Sequence, residues 1–183
     1  MTQKWYHSSY ILRSKTWGMF EMFIFRVEFS KTFSFKDVFK KITEYNLFTR
    51  MSPYVEFENP ERVVKDRGYY KEYGPYILDR IEADDYIEMS GTEFYKELAR
   101  STEKLHNLAL SRPGFEVTGD FLKEIIDFSV RSVVRKGALF FHLVIAADNQ
   151  RKYAMTNIWE YFDSFIAIDY ENEFIHILNL GRD

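Results

Sequence analysis

The chain has 183 residues, 46% of them hydrophobic, with 25 Lys or Arg against 28 Asp or Glu and a net charge of −3. That length and balance suit one folded domain over residues 1–183, with no overall excess of base. The lack of cysteine excludes disulfides, thiolate nucleophiles and Cys-ligated zinc, and with no membrane-length apolar run and no signal-peptide core, a soluble cytoplasmic protein is expected.

In chain order, FEMFIFRVEF at 20–29 predicts a strand, with Phe23, Phe25, Val27 and Phe29 on one face. Its other face begins with Phe20, Met22 and Ile24. SFKDVFKKITEYNL follows as an amphipathic helix, capped by Ser34 with Asp37 in its first turn and apolar at Phe35, Val38, Phe39 and Ile42. A short strand over 54–57 stops at Asn59-Pro60. Residues 69–79 and 84–89 read as two further strands, the first interrupted by Gly74-Pro75.

Two more helices are expected. One is capped by Thr92, with Phe94, Leu98, Ser101, Leu105 and Leu108 on one face. The next places Leu122, Ile125, Ile126, Ser129, Val133 and Val134 together and ends at Arg135-Lys136-Gly137. ALFFHLVIAA at 138–147 is apolar on both faces and predicts a central strand. SFIAIDYENEFIHIL closes the chain as a hairpin. A two-residue turn at Glu171-Asn172 sets Ile168 opposite Ile175 and Ile166 opposite Ile177. The fold class that follows is α+β: a single domain, mostly antiparallel sheet, with about three helices packed on it.

Residues 67–91, RGYYKEYGPYILDRIEADDYIEMSG, concentrate charge and aromatic area. Residues 69–90 hold two basic residues against six acids, although the first 50 residues hold nine basic against four acidic. Tyrosine supplies rigid amphipathic contact area, and surrounding carboxylates steer a basic partner. The candidate partner-binding residues are therefore Tyr70, Tyr73, Tyr76 and Tyr86 as anchors, with Asp79, Glu82, Asp84, Asp85 and Glu88 as steering charges. The plain structural reading is a pair of solvated edge strands kept from pairing by charge and Pro75.

Catalytic motifs are absent from the sequence. There is no G-x-S-x-G elbow and no phosphate loop, and no two histidines stand at ligand spacing, so neither cofactor nor metal is expected. Asp84 and Asp85 suit a Mg²⁺ only in a turn, since neighbours in a strand point to opposite faces. His142 and His176 read as core histidines, and His106 as a surface partner of Glu103. Basic residues interleaved with aromatics in the first third (Lys4, Arg13, Lys15, Lys31, Lys36, Lys40, Lys41 and Arg50 among Trp5, Tyr6, Tyr10 and Trp17) allow an alternative as a nucleic-acid-binding module. A hydrolase with a dispersed site is a second alternative.

A small, Cys-free, mildly acidic chain with an acidic aromatic band and no catalytic motif resembles the immunity proteins of bacterial polymorphic toxins and of contact-dependent growth inhibition. The resemblance is one of general character along the whole chain and carries no site residue with it. It implies a non-enzymatic inhibitor that neutralises a cognate, basic, cytoplasm-acting protein toxin, commonly a nuclease.

Overall fold

The computed structural model describes residues 5–14, 18–27, 33–44, 47, 54–58, 67–111, 123–124, 126–128, 130–131, 134–154 and 159–182, with backbone only at 5–14, 54–58 and 67–71. Strand β2 (Gly18–Arg26) is apolar on both faces because it lies inside a sheet that is covered on both sides. It pairs with β1 (Trp5–Ser14) on one edge and with β9 (Phe174–Arg182) on the other. β8 (Tyr161–Asp169), β7 (Leu139–Leu143) and β6 (Tyr86–Met89) complete a six-stranded sheet of order β1-β2-β9-β8-β7-β6, in which every pair is antiparallel. A smaller sheet is built from β3 (Tyr54–Glu58), β4 (Arg67–Tyr73) and β5 (Tyr76–Ile77). The class is α+β, as the pattern predicts.

One face of the large sheet presents Phe23, Phe25, Ile166, Ile168, Ile175 and Ile177, all buried. Helix α1 (Phe35–Glu44) covers them with Val38, Phe39 and Ile42. Its N-terminus is closed by exchange between Ser34 and Asp37: the Ser34 amide donates to Asp37 Oδ2 at 2.9 Å and the Asp37 amide to Ser34 Oγ at 3.3 Å. The Ser34 hydroxyl, which donates to Asp37 Oδ2 at 2.7 Å, and then the Ser34 amide hold the Asp37 carboxyl below its usual range. The opposite face presents Phe20, Met22, Phe165, Ala167, Leu178 and Leu180 to Phe94, Leu98 and Leu105 of α2 (Gly91–Leu110). Ile126 and Val130 of α3, which is described at 123–124, 126–128 and 130–131, share that layer. Leu122, Ile125, Ser129 and Val133 lie outside the described side chains.

The C-terminal hairpin has the predicted register, with Ile168 opposite Ile175 and Ile166 opposite Ile177. Its loop is longer than expected. Pairing stops at Asp169 and Phe174, and Glu173 adopts a positive φ of 58°. The Asp169 carboxylate closes this loop by accepting from the amides of Glu171 and Asn172, each at 3.1 Å.

Three expectations are corrected. The strand expected over 138–147 ends at Leu143, where the exposed Val144 begins a loop. The two strands of the band at 69–89 are present and the first is interrupted at Gly74-Pro75 as expected, but they are shorter, because 3₁₀ turns occupy Leu78–Arg80 and Ala83–Asp85. The cap of α2 is Ser90, two residues before Thr92: Ser90 Oγ accepts from the Glu93 amide at 3.2 Å and the Ser90 amide donates to Glu93 Oε2 at 2.7 Å. Ser90→Ala should therefore cost about 0.5–2 kcal/mol, whereas Thr92→Ala should stay within about 0.5 kcal/mol. Equal urea midpoints for the two variants would contradict this assignment.

Candidate functional site

The band at 69–89 divides into a buried part and an exposed part. Tyr73 and Tyr86 belong to the core, 0% and 6% exposed. The Tyr73 hydroxyl donates to Asn179 Oδ1 at 2.6 Å and shares a 2.8 Å hydrogen bond with Ser164 Oγ, two polar side chains supplied by the large sheet. Burial raises the Tyr73 phenol well above its usual range. Tyr86 packs against Phe35 and Phe39 of α1, each at 5.7 Å between ring centroids. Burial, then the neighbouring Tyr73, also raises its phenol. Neither ring is available as an anchor, because a second layer covers the sheet face on which they meet. Tyr76 is half-buried, 5.2 Å from Tyr153 and 6.2 Å from Phe162. The side chain of Tyr70 lies outside the described residues.

The carboxylates divide in the same way. Asp85 is a structural residue: its side chain is 13% exposed, accepts from the Glu82 amide at 2.7 Å and receives Lys152 Nζ at 2.7 and 2.8 Å. Burial disfavours the charge on Lys152, but Asp85 and Glu82 outweigh it and raise the Lys152 pKa. Asp79, Glu82, Asp84 and Glu88 are exposed. Lys36 of α1 reaches Asp84 at 2.8 Å, a pair so open to solvent that it contributes little. Beside Glu88, on β6 at the end of the described sheet order, Ile87 is 55% exposed.

A groove of about 520 Å³ runs from this edge towards α2. Glu88, Glu93 and Glu97 stand along it, with Ile87, Val144 and Ile145 as its apolar lining. His142 and Asp163 also line it. Asp163 is the hub of a network that sequence reading missed. Asp163 Oδ1 faces His142 Nε2 at 2.5 Å, and Oδ2 accepts from Ser101 Oγ at 2.5 Å and from the Tyr161 hydroxyl at 2.6 Å. Burial opposes charge on Asp163, but the His142 bond and charge, followed by the Ser101 and Tyr161 bonds, prevail and lower its pKa. The signal available in the sequence was Tyr161-x-Asp163, which shares a strand face with Phe165 and so meets α2 instead of water.

The network is not a nucleophile–base relay. Ser101 donates to the carboxylate rather than to His142, and Ser101 is 1% exposed. Among the described residues, no three His, Asp or Glu side chains converge as a metal ion would require. His176 is buried in β9, and His106 is half-buried on α2.

Of the basic candidates, Lys36, Lys40 and Lys41 have described side chains, all on α1. Lys40 pairs with Glu44 at 3.8 Å, and Lys41 lies 5.3 Å over the Phe33 ring. Lys4, Lys15, Trp17, Lys31 and Arg50 are outside the described residues, and so are the side chains of Trp5, Tyr6, His7, Tyr10 and Arg13 on β1. No described helix is long and apolar enough to cross a membrane.

The fold is thus an α+β arrangement of one large antiparallel sheet between helices, with a charged groove at its β6 edge. Comparison of the sequence with models of known protein families and with curated proteins finds no match.

Proposed function

We propose that the chain is a protein-binding inhibitor of the immunity-protein kind, which neutralises a basic, cytoplasm-acting protein toxin, most simply a nuclease, at the β6 edge. The reading rests on one observation: Ile87, an apolar side chain 55% exposed on the last strand of the described sheet order, is followed by the exposed Glu88, with Glu82 and Asp84 exposed in the turn that leads into the strand. An apolar contact rimmed by like charges favours a cationic partner, since the rim accelerates encounter and the desolvated centre holds the complex. Of the four tyrosines expected as anchors, Tyr76 alone is described with a half-exposed side chain; Ile87 takes the place of Tyr73 and Tyr86.

The test begins with capture and identification of the partner from native cells, followed by association rates for both purified proteins across ionic strength. The Asp84→Lys, Glu88→Lys double variant should associate more slowly and with a flatter salt dependence. Ile87→Ala should mainly speed dissociation, costing about 1–2 kcal/mol. Asp85 and Glu82 are left intact in this set because both hold Lys152. Rates and affinities identical to those of the unaltered chain would remove the β6 edge from the reading. Turnover of RNA or DNA by the pure protein, lost on a single carboxylate change, would replace the inhibitor reading with the hydrolase alternative.

A further inference from the structure

We propose that a second cleft, which shares Tyr76, Arg100, Phe162 and Asp163 with the groove, binds a small aromatic anion: a planar ring carrying a phosphate or carboxylate. The cleft encloses about 570 Å³, within the range of small-molecule sites. Tyr76, Tyr153, Trp159 and Phe162 supply its rings, and Arg100 and Lys104, one turn apart on α2, supply its cations.

The aromatic wall is held in place by backbone. Gly74 has a positive φ of 59°, and a Cβ there would fall 2.3 Å from the Phe162 ring. Trp159 lies so close over Gly181 that a Cβ would fall 2.5 Å from it. Trp159 and Phe162 then meet edge to face at 5.4 Å and 73°. Rings fixed in this way lose little freedom when a ligand ring stacks on them.

The charge balance selects an anion. Lys104 Nζ lies 4.4 Å over the Tyr161 ring and forms no ion pair with a described carboxylate. Arg100 pairs with Glu97 at 2.6 Å yet leaves its side chain 70% exposed. The two carboxylates that line the cleft are already engaged: Asp163 holds His142, Ser101 and Tyr161, and Glu160 faces Arg182 at 3.2 Å. Cationic donors beside fixed π faces match a ligand that is flat at one end and negative at the other.

Phenyl phosphate, adenosine monophosphate and inorganic phosphate are the probes, titrated into the full chain by calorimetry and by fluorescence. The Trp159 signal is isolated by subtracting a Trp159→Phe protein, since the chain holds three tryptophans. Saturable binding of phenyl phosphate or adenosine monophosphate is expected. It should weaken by about tenfold or more in Lys104→Met and in Arg100→Met, and be retained in Lys104→Arg. The denaturant midpoints of the variants show whether each is folded, and Tyr153→Ala, at the rim, gives an independent loss of ring contact. The proposal is overturned if neither aromatic anion saturates the protein, if the Met variants bind as well as the parent, or if inorganic phosphate binds equally well.

Discussion

Asp163→Ala should destabilise the fold by about 3–5 kcal/mol, because it leaves buried groups of His142, Ser101 and Tyr161 without their acceptor. Ser101 is 1% exposed and Tyr161 8%, so water cannot easily replace the lost carboxylate. Asp163→Asn should cost less, as its remaining oxygen still accepts, but it removes a pH dependence. The folded-state pKa of Asp163 lies below its ordinary value, which is near 3.9 in an unfolded chain. Its charge therefore stabilises the fold fully above that value, and this contribution is lost as pH falls through the lowered folded-state pKa. Urea midpoints measured between about pH 6 and pH 2 should decline more steeply for the parent chain than for Asp163→Asn. Parallel declines would show that Asp163 does not carry this charge-dependent stability.

Ile168→Ala should cost about 2–5 kcal/mol. Ile168 is 0% exposed, faces Ile175 across β9 and Leu139 across β7, and belongs to the layer beneath α1. Removing its branched side chain leaves a cavity that neighbours paired on both sides cannot close. Ile168→Val should cost only about 0.5–1.5 kcal/mol. A midpoint and slope for Ile168→Ala equal to those of the parent would mean that this register or its burial is wrong.

The contrast between these two residues shows what a sequence makes legible. Ile166, Ile168, Ile175 and Ile177 alternate on both arms of a hairpin, and period-two alternation with a local turn fixes register without any distant information. The Ser34–Asp37 cap is local in the same way. Asp163 and His142 stand on different strands, and Ser101 on a helix, so their meeting depends on how α2 crosses the sheet. The tyrosine band misleads for a related reason. Alternation gives Tyr73 and Tyr86 a face, but not what covers it. Ser164 and Asn179, which make a buried Tyr73 hydroxyl tolerable, come from strands far along the chain. Burying a carboxylate is costly, so exposure of the acids at 79, 82, 84 and 88 is the simple expectation, whereas Asp85 is drawn in by Lys152 from a distant part of the chain.

The position of β9 bears on how the molecule is made. It is the last of the nine described strands in chain order, yet it lies between β2 and β8 and joins them into one sheet. During vectorial synthesis, β2 emerges early and can pair with β1, but its other edge has no neighbour until β9 leaves the ribosome. Phe23, Phe25, Phe20 and Met22 meanwhile sit on an incomplete sheet, so the nascent chain carries a sticky edge throughout much of its translation. A sheet whose centre is closed by contacts this distant in sequence also has a slow topological search. Nascent-chain holdases should therefore raise the yield of folded protein, and a chain shortened by β9 should aggregate rather than persist as a smaller soluble form.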